Sequence, residues 1–136
     1  METIESKDMI TFVNRIIEKS NHFNTVIRVP ERCNGNFIDV KDLHEDNIPS
    51  ISHKNNYDYQ IIISLQRYTV HQKTNSGYRM VKKYRVRFNG RLESHLTLEE
   101  FTELYTSIIG KYKEMKEDNE LYYENTDLSI FNSIVK

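Results

Sequence analysis

The chain of 136 residues contains no alanine and no tryptophan, one cysteine, two prolines and four glycines. With Cys33 alone no intrachain disulfide can form, which excludes a small disulfide-stapled scaffold and fits a reducing compartment. Glycines at 35, 77, 90 and 110 are too scattered to build a phosphate-cradling loop. The longest aliphatic run, Ile61-Ile62-Ile63, is far short of a membrane span. The opening Met1-Glu2-Thr3-Ile4-Glu5 has neither a cationic start nor an apolar stretch before a cleavage site. A cytoplasmic protein without a membrane partner is expected. Alanine is the best helix former, so its absence has no structural cause. With fifteen isoleucines, thirteen asparagines and eleven lysines, that absence points to an AT-rich coding genome of viral, phage or low-GC bacterial type.

The most local absence is of acid. Residues 59–92 carry eight lysines and arginines and no aspartate or glutamate. Residues 1–58 hold seven basic and ten acidic side chains, and residues 93–136 hold four and ten. A chain of formal net charge −1 therefore has a strongly positive middle between acidic flanks. One surface should attract polyanions while others repel them.

Length fits a single domain over 1–136. Hydrophobic residues are 38% of the chain and include nine tyrosines and six phenylalanines, so the core relies on rings that keep a polar handle. From Ser6 to Ser20, Met9, Phe12, Val13, Ile16 and Ile17 fall at helical spacing. Thr25 to Val29 reads as a strand stopped by Pro30, and Asn34-Gly35 as a turn leading to a partner strand, Phe37 to Val40. Residues 41–56 have the composition of a loop.

Tyr59 to Val70 and Tyr78 to Phe88 are rich in β-branched and aromatic residues and form a long hairpin around a Lys73–Gly77 loop. Registers in which partner numbers sum to an odd value, such as 149, sort its faces. Ile61, Ile63 and Leu65 then oppose Phe88, Val86 and Tyr84 on a core face. The other face gathers Tyr68, Arg79, Lys83, Arg85 and Arg87. Thr97-Leu98-Glu99-Glu100 is a capping box. It opens a helix to about residue 117 whose apolar stripe includes Phe101, Leu104, Tyr105, Ile108, Ile109 and Met115. Asn125-Thr126-Asp127 would cap a separate short helix over Leu128, Phe131 and Ile134.

The basic hairpin face is the leading candidate site. Arg79, Lys83, Arg85 and Arg87 recur at period two, roughly 7 Å apart per step, close to the spacing of phosphates along a strand. Tyr68 supplies a ring for stacking, and His71 with Lys73 extends the positive surface to the tip. The competing reading is a solvated face whose charges discourage edge pairing. An open face implies that reversing Arg85 and Arg87 leaves stability nearly unchanged.

Other clusters carry less. Asp39, Asp42, His44, Glu45 and Asp46 lack calcium-loop spacing and read as a polar loop. Cys33 has no local nucleophile signature and reads as a small hydrophobe. The acids from Glu114 to Asp127, with Tyr122-Tyr123, read as a solvated surface or as a nucleic-acid mimic toward a basic partner.

The expected fold is α+β, an antiparallel sheet of about four strands with a long central hairpin packed by an N-terminal and a C-terminal helix. No catalytic residue, metal site or cofactor is expected, so the expected function is non-catalytic binding. The first expectation is a viral, phage or mobile-element accessory protein that inhibits a host nucleic-acid-handling complex, in the manner of an anti-CRISPR protein. The alternative is a direct DNA- or RNA-binding regulator using Tyr68, His71, Lys73, Arg79, Lys83, Arg85 and Arg87. The partners expected are a host protein or nucleoprotein complex, or DNA or RNA, engaged by a monomer or homodimer.

Overall fold

A computed structural model of the chain describes residues 2–29, 48–54 and 59–135, with side chains followed as far as Glu117 in the last helix. The chain runs β1 (Glu2–Thr3), α1 (Ser6–Lys19), β2 (Thr25–Arg28), β3 (Ser50–Lys54), β4 (Gln60–Thr74), β5 (Gly77–Phe88), β6 (Leu92–Leu96) and α2 (Leu98–Val135). The strands form a six-stranded sheet in the order β1-β6-β5-β4-β3-β2. The class is α+β, as the patterning implies. The sheet is larger than the four strands expected, and it is mixed, because β1 runs parallel to β6 while every other pair is antiparallel.

The added strands have little sequence signal. In β3, Ser50-Ile51-Ser52-His53-Lys54 sends only Ile51 and His53 into the core, so it reads as loop until β4 is beside it. In β6, two leucines flank Glu93, Ser94 and His95, and β1 has two residues. β6 is a short strand recruited by β5 of the long hairpin, and β1 pairs in turn with β6. The partner strand expected at Phe37–Val40 lies outside the described residues, and β2 pairs with β3.

The hairpin register differs from the expected one by two residues. Partner numbers sum to 151, with Ile63 opposite Phe88, Leu65 opposite Val86 and Thr74 opposite Gly77. The turn is therefore Asn75-Ser76 alone rather than a five-residue loop. Gly77 at φ 134° stands where a side chain would be strained. A shift of two preserves which residues share a face, so the sorting into core and polar sides survives.

Helices α1 and α2 pack against each other and against the same sheet face. Met9, Val13 and Ile16 of α1 are buried with Ile51, Ile61, Ile63, Leu65, Tyr84, Val86 and Leu96 of the sheet. The stripe Phe101, Leu104, Tyr105, Ile108 and Ile109 of α2 closes that core. Phe12 meets Phe88 edge-on with centroids 5.2 Å apart, and Phe101 lies 4.9 Å from Tyr84. The capping box forms as expected: Glu100 N–H donates to Thr97 Oγ1 at 3.1 Å, and Thr97 N–H to Glu100 Oε1 at 2.9 Å. That bond to the Thr97 backbone, with hydrogen bonds from the Ser6 and Thr97 side chains, holds the Glu100 carboxyl below its usual range. The separate short helix expected after Asn125 is instead a continuation of α2, whose backbone stays helical to Val135. No helix among the described residues is long and apolar enough to cross a membrane.

Candidate nucleic-acid interface on the hairpin

Only the root of the hairpin lies inside the sheet. β3 pairs with β4 between Gln60 and Ser64, and β6 pairs with β5 between Tyr84 and Phe88. From Tyr68 and Lys83 outward, the described strands pair only with each other, so a two-stranded arm about 20 Å long extends to Asn75-Ser76. Its residues pass from buried to exposed along β5, from Tyr84 through Lys82 to Met80 and Tyr78. Arm and root therefore offer their cations differently.

At the root, on the face away from the helices, three strands stack their side chains in register. Gln66, Arg85 and His95 form one row, and Ser64, Arg87 and Glu93 the next. Glu93 organises this block. Its Oε2 accepts from Arg87 Nε at 3.3 Å and lies 3.7 Å from Arg85 Nη1, while its Oε1 is 3.9 Å from His95 Nε2. The Glu93 side chain is only 14% exposed. Arg85 also donates from Nε to Gln66 Oε1 at 2.7 Å, and its guanidinium sits 4.3 Å from the centroid of the Tyr68 ring. Tyr68 Oη is in turn 3.3 Å from His95 Nδ1. Arg85 and Arg87 are thus partly buried and share a single carboxylate, and one face of Tyr68 is already covered.

The candidate residues divide accordingly. Tyr68, Arg79, Lys83, Arg85 and Arg87 share one face of the ladder, as their spacing implies. His71 and Lys73 do not join it, because odd-numbered residues of β4 project from the opposite, helix-side face. That side of the arm carries the rungs Lys73–Tyr78, His71–Met80 and Thr69–Lys82. The open side carries Gln72–Arg79, Val70–Val81 and Tyr68–Lys83, with Arg79 held by two bonds to Gln72 Oε1 at 3.2 and 3.3 Å. Both sides of the arm are therefore cationic.

Reasoning on the hairpin alone missed Glu93 and His95, because β6 was not recognised as its neighbour. It also left out Lys82, which faces away from Arg79, Lys83, Arg85 and Arg87. The register rule applied to β5 would have placed Lys82 beside Met80 and Tyr78. Cys33 and the cluster Asp39, Asp42, His44, Glu45 and Asp46 lie outside the described residues. Among the described residues no three potential metal ligands come together.

A depression of about 840 Å³ lies at the other end of the hairpin, lined by Tyr59, Phe88, Asn89, Gly90 and Arg91, among others. It is open and shallow. A groove of about 400 Å³ between α1 and α2 is lined by Ile10, Asn14, Glu103 and Ser107, among others. Neither gathers a nucleophile, base and orienting acid. No family model, curated protein or solved structure matches this chain.

Proposed function

We propose that this protein is a non-catalytic nucleic-acid-binding protein that lays the β4–β5 arm in a groove of duplex DNA. One observation carries the reading: a protruding two-stranded ribbon bears Lys73, Arg79, Lys82 and Lys83 on its two sides, within a stretch of chain that holds no carboxylate. A two-stranded ribbon fits the B-form major groove, about 12 Å wide, whereas the A-form groove of RNA is too narrow to admit one. With Lys73 on β4 and Arg79, Lys82 and Lys83 on β5, cations stand on both strands, so the ribbon reaches the phosphates of both groove walls. Of the two expectations drawn from the sequence, direct nucleic-acid binding is the better supported by the arm. An inhibitory role toward a host nucleic-acid-handling complex would use the same arm on the duplex that such a complex carries.

The test is fluorescence anisotropy of a short labelled DNA duplex across a salt series. Neutralising about four phosphates predicts a log–log salt slope near −3.6. Arg79→Gln with Lys83→Gln should lower affinity and flatten that slope by about two. The absence of any anisotropy change at low salt and tens of micromolar protein would refute DNA binding and leave a protein surface as the target.

A further inference from the structure

The helix-side face of the arm has a feature that phosphate binding does not use. Tyr78 and Met80 are 72% and 69% exposed, although both belong to the row that ends in buried Tyr84 and Val86. Among the described side chains, helix cover of that row reaches as far as Tyr84, where Phe101 packs. Two large apolar side chains thus stand in solvent one strand step apart, with Lys73 and His71 opposite and Lys82 next along the strand. The opposite side of the arm shows less apolar surface, with Val70 39% exposed. A ligand matching this face presents an apolar interior between lines of negative charge. The floor of the major groove, where thymine methyl groups stand among the base-edge donors and acceptors between two phosphate backbones, offers such apolar contacts.

We infer that the Tyr78–Met80 face is the one turned toward the bases, with Lys73 and Lys82 reaching the flanking phosphates from that face and Arg79 and Lys83 reaching round to them from the opposite one. This deepens the DNA-binding reading and rests on it. Apolar side chains in a groove contact thymine methyl groups or wedge at a base step, and either contact distinguishes sequences where phosphate contacts cannot. Tyr78 also offers a ring for stacking on an unpaired base. An acidic lipid surface presents the same combination of charge and apolar interior. The arm's tip argues against it, since Thr74, Asn75 and Ser76 are polar and would have to enter the membrane first.

The experiment compares wild type, Tyr78→Ser with Met80→Ser, Tyr78→Phe, and Val70→Ser on the opposite face. Each is titrated against the labelled duplex at several salt concentrations, with a thermal melt as a control for folding. The double serine variant should melt like wild type, because both side chains are exposed. It should bind roughly tenfold or more weakly with an unchanged salt slope, since no cation is lost. Tyr78→Phe should retain most of the affinity, and Val70→Ser should bind as wild type. If wild type binds and the double serine variant binds equally well, the inference falls while DNA binding stands. If Val70→Ser costs as much as the double variant, the opposite face meets the bases and the inference is again wrong. If wild type ignores the duplex and binds vesicles of phosphatidylserine and phosphatidylcholine, the inference and the DNA reading fall together.

Discussion

The sharpest consequence of the structure concerns Arg85 and Arg87. Period-two spacing alone makes them two more exposed cations, whose reversal would shift stability by about 0.5 kcal/mol. The Glu93 block changes that expectation. Arg85→Glu removes the 2.7 Å bond to Gln66 and the 4.3 Å approach to Tyr68, and Arg87→Glu removes the 3.3 Å pair with Glu93. A hydrogen bond from a charged group contributes about 1.5 kcal/mol at the low end, a partly exposed ion pair about 0.5 kcal/mol, and a partly buried cation–π contact about 0.5–1 kcal/mol. The double variant also sets three carboxylates side by side. Like charges about 4 Å apart near a surface repel by up to about 4 kcal/mol, which water and salt cut to about a quarter for groups at a partly exposed surface. The total is about 3–4 kcal/mol, a large part of a stability of order 5–15 kcal/mol. At about 4 °C per kcal/mol for a domain of this size, the melting temperature should drop by about 12–16 °C. Arg79→Glu with Lys83→Glu, on the exposed arm, should shift it by no more than about 2–4 °C. Differential scanning calorimetry of both variants decides the matter, and adding Glu93→Lys to the first should restore part of the loss. If Arg85→Glu/Arg87→Glu melts as wild type does, Glu93 makes only solvated surface pairs and the two arginines rejoin the open basic face.

Three further outcomes follow from the core and its boundaries. Ile63 is fully buried in the central strand, so Ile63→Ala should cost about 2–5 kcal/mol in denaturant unfolding, and less than about 1 kcal/mol would mean that the core is not packed around β4. Thr97→Ala, which deletes the Oγ1 acceptor of the capping box, should cost about 0.5–2 kcal/mol in the same assay, while Thr97→Ser should be nearly neutral. His53 is buried, with Nδ1 2.7 Å from Thr25 Oγ1, and burial first and Lys19 second hold its pKa below the ordinary 6.5. The unfolded chain then binds a proton that the folded chain refuses, so this contribution to stability is present above pH 6.5 and is lost as pH falls through the lowered value. Urea midpoints measured across that range should fall on acidification in wild type and fall less steeply in His53→Gln; parallel slopes would assign the pH dependence to other groups.

Local periodicity was enough wherever an element is long and carries its own pattern. Met9, Val13 and Ile16 at helical spacing, the capping box at Thr97 and Glu100, and the alternation through Ile61, Ile63 and Leu65 each announce their structure without a neighbour. The face on which each hairpin side chain falls was equally legible, because a register error of two leaves a period of two unchanged. The register was not, since five turn-prone residues, Lys73 to Gly77, admit several loops and only the folded chain selects Asn75-Ser76. Nor were β3 and β6, which have few apolar residues and become strands only when the edges of β4 and β5 supply hydrogen-bonding partners, or β1, which in turn depends on β6. The same dependence governs the charged surface. The excess of positive charge in residues 59–92 is a property of the sequence, whereas the availability of each cation depends on what packs across from it. Glu93 is six residues from Arg87 in the chain, and the turn at Asn89 and Gly90 brings β6 back so that one carboxylate serves two arginines. Tyr78, Met80 and Lys82 stay exposed because, among the described side chains, helix cover of their row reaches only as far as Tyr84. Tertiary packing thus engages the arginines at the root of the hairpin with one shared carboxylate and leaves the cations of the arm exposed.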